Sequence, residues 1–244
     1  MPRHPSLPDA PQGTPVGRRL GWALAALLLP ALPSAAAAQP YAPAPPVAAI
    51  AAGRAIALNG VVPGRPACAA CHMPDGAGQP DVGIPRLAGL SAIYLQEQLD
   101  YFATGKRRHP AMAPYAKMLD AQQRHDVAAY FATLAPPPSG PLPSKPAAIA
   151  EGAALFAKGD YRTGLLACAN CHGPTGLGVE GFSPRLAGQS APYVLEQLHH
   201  WHRGGQRDPA GAFMRAEASH LTAAQIKALA DYIATMGAVE TQKP

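Results

Sequence analysis

At 244 residues the chain has room for one or two domains, and beyond residue 38 it contains no long apolar segment, which excludes a membrane-spanning helix there. The formal net charge of +5 owes much to Arg3, Arg18 and Arg19 near the start, so the basic balance gives no reason to expect a nucleic-acid partner.

In chain order, residues 1–19 are polar and Pro-rich and end in Arg18-Arg19, residues 20–32 are almost wholly apolar, and Pro33-Ser34 with Ala35 to Ala38 supply small residues. This pattern predicts a cleaved signal peptide over 1–38, because the apolar run is shorter than the roughly 20 residues needed to cross a bilayer. A retained anchor is the other reading. Residues 39–46 form a Pro-rich lead-in, followed by a first domain over 47–134.

That domain opens with a helical run at 47–58 interrupted by Gly53, and continues through CAACH (68–72), a glycine-rich loop and PRLA (85–88). A Gly inside a helix costs up to about 1 kcal/mol against Ala, so its recurrence at Gly152 in the second copy predicts the close approach of another element. Ser91 stands as an N-cap before a helix with Tyr94, Leu95 and Leu99 on one face, and Gly105 ends it. Met112 follows, then Leu119 and an Asp120-x-x-Gln123 capping box that starts the last helix.

Residues 135–146 read as a semi-rigid Pro-rich linker. The same plan then repeats over 147–244, with CANCH (168–172), PRLA (184–187), the Ser190 helix bearing Tyr193, Val194 and Leu198, Gly204, Met214, Leu221 and a Thr222-x-x-Gln225 box. A period of about 100 residues is too long for a helical solenoid, so this is a duplicated domain. Nothing alternates as a strand would, and the predicted class is all-α, with three or four helices per copy.

All four cysteines fall in the two pentapeptides, as Cys68, Cys71, Cys168 and Cys171. Cys-x-x-Cys-His is the attachment signature of c-type haem: two thiols bond to the porphyrin vinyls and the adjacent imidazole takes an axial iron position. A four-cysteine zinc site normally has about 15 to 20 residues between its pairs, and a disulfide framework has no use for a His at the same offset twice. Two covalently attached haem c groups are therefore expected, with His72 and His172 as proximal ligands.

For the sixth position Met112 and Met214 are the candidates, being methionines at equivalent places counted back from Leu119 and Leu221. Core packing is the alternative role, and a pairing of Met118 with His220 is the rival ligand set. Pro85 and Pro184 are placed to accept the histidine Nδ1 proton through their carbonyls, or simply to end a loop. Arg86 and Arg185 are candidates for pairing with haem propionates, or for the solvent-exposed surface. The cluster of His199, His200 and His202 around Trp201 reads as a solvated helix face rather than a metal site. Met236 is expected in the terminal helix.

The paired motifs, the repeated PRLAG, the Tyr-x-x-x-Gln-Leu type helices and the methionine ahead of a capped final helix resemble the diheme cytochrome c4 family over nearly all of residues 47–238. The resemblance implies two tandem class I cytochrome c domains, each a few helices wrapped around its haem. It also implies His/Met ligation in both, the Gly53 and Gly152 helices crossing those of Tyr130 and Tyr232, and haem propionate edges facing across an interface. In function it implies a periplasmic electron carrier without catalysis of its own, soluble or loosely associated with the membrane. Its partners would be a quinol-oxidising (bc1-type) complex or a dehydrogenase on one side and a terminal oxidase such as a cbb3-type enzyme on the other. A cytochrome subunit docked to a dehydrogenase and a diheme peroxidase are the alternatives. The charge pattern departs from members whose domains carry opposite sign: here the first copy is slightly positive and the second is balanced.

Overall fold

The computed structural model describes residues 46–138, 145–205, 207–208 and 211–237. The leader, most of the lead-in, the middle of the Pro-rich linker and the last seven residues lie outside these. The described residues form two copies of one helical plan.

In the first copy α1 (Val47–Asn59) leads to α2 (Cys68–His72), then α3 (Ala92–Thr104), α4 (Met112–Met118) and α5 (Ala121–Thr133). In the second, α6 (Pro146–Lys158) leads to α7 (Ala169–His172), α8 (Ala191–His202), α9 (Gly211–Ser219) and α10 (Ala223–Thr235). Among the described residues β-structure is confined to isolated bridges such as Gln79 to Ile84 and Val179 to Ser183.

The two internal glycines set the scaffold. A Cβ on Gly53 would lie 1.9 Å from the Asp126 carbonyl oxygen, and one on Gly152 would lie 2.1 Å from that of Ala228. No side chain fits there, so α1 crosses α5 and α6 crosses α10 backbone against backbone. Tyr130 and Tyr232 stand one turn beyond these contacts. Both final helices begin with the full capping box: the Asp120 carboxylate accepts from Gln123 N–H at 2.8 Å and the Thr222 hydroxyl from Gln225 N–H at 3.2 Å, each glutamine bonding back to its cap amide.

Three expectations change. Ser91 caps α3, its hydroxyl accepting from Tyr94 N–H at 3.3 Å, but the Ser190 hydroxyl makes no such bond and is buried without a partner. Pro146 belongs to α6 rather than to the linker, because a proline at the first helical position sacrifices no hydrogen bond. Met236 follows α10 instead of lying in it, and its thioether closes over Gly176.

The apolar cores remain separate. One gathers Ala57, Leu90, Leu95, Leu119, Val127 and Phe131; the other gathers Phe156, Val194, Trp201, Ile226, Leu229 and Ile233. Each is contributed by one copy alone.

Candidate haem sites

The CAACH run is itself a short helix, so both thiols and the imidazole are presented by one turn of chain. His72 ends it, buried, with Nδ1 3.0 Å from the Pro85 carbonyl oxygen. In the second copy His172 ends α7 and its Nδ1 lies 2.9 Å from the Pro184 carbonyl oxygen. The bond fixes the tautomer: Nδ1–H donates to the carbonyl, and Nε2 keeps its lone pair. Burial lowers the pKa of both imidazoles, with the proline carbonyl opposing as the smaller influence, so each ring is held neutral as a metal ligand must be.

The loops that follow are tied to the motifs. Gly78 N–H donates to the His72 carbonyl at 3.0 Å, and Gly178 N–H to that of His172 at 2.9 Å. The Gln79 carboxamide reaches the Cys71 carbonyl at 2.8 Å, a place served in the second copy by the Ser183 hydroxyl on Cys171 at 2.6 Å. None of the four cysteines is paired in a disulfide, and Cys71 and Cys171 are exposed. Burial raises the Cys68 thiol and pushes that of Cys168 up to about 11.

Met112 is the first residue of α4 and Met214 the fourth of α9. The start of each helix is secured by residues the sequence left without a role. His109 Nδ1 accepts from the amides of Ala111 and Met112 at 3.3 and 3.2 Å, while the Asp208 carboxylate accepts from Gly211 N–H at 2.8 Å. The two are aligned in the repeat. Of the rival pair, Met118 closes α4, and His220 is exposed with its ring beside Gly164.

Arg86 is only 2% exposed. Its guanidinium donates to the Ala88 carbonyl of its own copy and, at 2.8 Å, to the equivalent Ala187 carbonyl of the other. Arg185 is half-buried and donates to Ala187 O at 3.4 Å. Burial first, and the like charge of Arg185 second, pull the Arg86 guanidinium down to about 10. A buried guanidinium beside a second, half-buried one calls for an anion.

Among the described residues the buried donors Arg86 Nε, Ser190 Oγ and Trp201 Nε1 have no acceptor. A carboxylate group entering from a cofactor fits the Arg86 guanidinium. Neutral buried imidazoles, paired Cys side chains and the unsatisfied Arg86 Nε together match haem with its propionates. Among the described residues no three His, Cys, Asp or Glu side chains converge as a metal cluster. Trp201 is a core residue, and His202 bonds through Nδ1 to the Ala218 carbonyl at 3.0 Å.

The family model for cytochrome c matches residues 50–135 and again 149–237. The chain belongs to the cytochrome c family, carrying two domains of that fold and two covalently attached haem c groups. It is 37% identical over 196 residues to cytochrome c4 of Thiocapsa roseopersicina, spanning 79% of this chain and 95% of that one, and it belongs to the diheme cytochrome c4 family of electron-transfer proteins. It is also 43% identical over 176 residues to the thiosulfate dehydrogenase electron acceptor of Thiomonas intermedia, which covers 70% of this chain and 79% of that one. Among solved structures it resembles thiosulfate dehydrogenase (TsdBA) of Marichromatium purpuratum with a TM-score of 0.70 and 38% identity, over 80% of this chain but 42% of that larger one.

Proposed function

We propose that the protein is an exported diheme carrier that takes electrons from a thiosulfate-oxidising dehydrogenase and passes them towards a terminal oxidase. In this reading residues 1–38 address the chain to the periplasm and 47–134 and 147–244 are the two haem domains. Cys68, Cys71, Cys168 and Cys171 hold the porphyrins. His72 and Met112, and His172 and Met214, are the axial ligands. When bound, each haem supplies one-electron chemistry at iron. The residues around it fix imidazole orientation through Pro85 and Pro184 and balance propionate charge through Arg86 and Arg185.

The observation that carries this reading is the matched pair of neutral imidazoles, His72 on Pro85 and His172 on Pro184, built in two domains that share one interface. The thiosulfate-linked donor is favoured over a quinol-oxidising complex by likeness to two proteins: an electron acceptor of thiosulfate dehydrogenase and a TsdBA chain.

Rapid mixing of the ferric protein with a thiosulfate dehydrogenase and thiosulfate tests it. Both haems are expected to reduce at a rate that saturates with carrier concentration. Reduction no faster than that of an unrelated cytochrome, with rapid reduction by a quinol-oxidising complex, would transfer the donor role to the latter. Peroxide turnover or a high-spin ferric spectrum would overturn the carrier reading itself.

A further inference from the structure

We propose that Arg107, Tyr193, Arg207 and Tyr94 form a lock that fixes one haem domain on the other, and that they are positioning residues for electron transfer between the two haems. The proposal rests on the diheme carrier reading.

Among the described residues the two apolar cores do not merge, and neither buried cluster draws residues from both domains. Interfaces between domains move by default unless they are large and apolar. Hydrogen bonds do cross between the copies. The most regular of these is a reciprocal pair.

Arg107 stacks on Phe102 with its guanidinium carbon 4.5 Å from the ring centroid, donates to Gln98 Oε1 at 2.7 Å, and reaches across to the Tyr193 hydroxyl at 3.0 Å. Arg207 stacks on Trp201 at 4.8 Å, donates to Gln197 Oε1 at 3.2 Å, and reaches across to the Tyr94 hydroxyl at 3.4 Å. Phe102 and Trp201, Gln98 and Gln197, and Tyr94 and Tyr193 are equivalent in the repeat. The arginines are not. Arg207 aligns with Arg108, yet Arg107 occupies the matching place in the first domain, so the clamp is reached from a different register in each copy. Simple inheritance of an aligned residue does not explain that.

The energetics point to orientation more than stability. Arg207 has a carboxylate partner, Asp208, at 2.7 Å and almost fully buried. Arg107 is 8% exposed and its hydrogen bonds run to neutral acceptors, Gln98, Tyr193 and Gln197. Burying a guanidinium among neutral groups is costly, and such groups are best attested as devices that fix one arrangement. The acceptors sit on α3 and α8, with Tyr94 and Tyr193 at the third position of each helix, so the clamp sets how those helices face each other.

The test uses the diheme holoprotein with Arg107→Met, Arg207→Met, both together, and the pair Tyr94→Phe with Tyr193→Phe. Three quantities are read: the optical spectrum of each haem, the magnetic coupling between the ferric haems, and the rate of internal electron transfer after pulse reduction. The double arginine variant should keep both haem spectra, lose the coupling and slow internal transfer about tenfold or more, as misplacement of reacting centres does. The tyrosine pair should do the same. Because it removes only two hydroxyls, it carries the test if the arginine variants do not fold. Unchanged coupling and rate in the tyrosine pair, or in a folded double arginine variant, overturns the lock. A wild-type protein without two low-spin haems overturns the carrier reading instead, before any variant is compared.

Discussion

The carboxamide of Gln189 closes a two-bond ring on the main chain of Arg86: Arg86 N–H donates to Gln189 Oε1 and Gln189 Nε2 donates to the Arg86 carbonyl, both at 3.0 Å. One domain thus satisfies the backbone of the other at the residue whose side chain enters the interface. The aligned residue of the first copy is Leu90, so the contact runs one way. Gln189→Leu should leave a buried amide and carbonyl without partners, each worth about 1–3 kcal/mol. We expect a net loss of roughly 2–3 kcal/mol in denaturant unfolding. A change below about 0.5 kcal/mol would mean that water replaces the carboxamide without penalty.

Helix propensity and packing make opposite demands at Gly152. On a free helix surface Gly→Ala would stabilise by up to about 1 kcal/mol. Against the Ala228 carbonyl, at 2.1 Å from the added methyl, it forces α6 and α10 apart. Overpacking of this kind costs about 1–3 kcal/mol, so Gly152→Ala should lower the melting temperature. Gly53→Ala should behave alike. A stabilised variant would show that the crossing yields.

Removal of a cap is the gentler perturbation. Asp120→Ala and Thr222→Ala each delete the acceptor of an N3 amide and should cost about 1 kcal/mol in chemical denaturation. The two sites lie in separate domains and share no partners, so the losses should add. A strongly non-additive double variant would indicate that the two capping sites are energetically coupled across the domains.

The proposed ligands are separable by spectroscopy. Met112→Ala and Met214→Ala should each abolish about half of the far-red band that reports sulfur bonded to ferric iron, and each should lower the potential of one haem. Loss of that band in Met118→Ala, with Met112→Ala silent, would reassign the first site.

Much of this fold was legible because duplication doubled each signal. Gly53 and Gly152 announced the helix crossings, and the boxes at Asp120 and Thr222 announced the final helices, because steric exclusion and capping are local rules. The placing of Pro85 and Pro184 behind the histidines was open to the same kind of reading. The interface was not. Arg107 and Arg207 do not align, so comparing the copies left their partnership invisible. Tyr94 and Tyr193 read as core positions because helical spacing reports a ring and says nothing about a hydroxyl that crosses to another domain. His109 and Asp208 differ in residue type, which hid their common task at the start of the Met112 and Met214 helices.

The separation of the two apolar cores has a consequence for how the protein is made. Each domain closes its own oily interior, and the face it turns to its twin is lined by arginine, glutamine and tyrosine, which water also satisfies. In a first half that matures before the second is finished, water can satisfy these groups until their partners arrive.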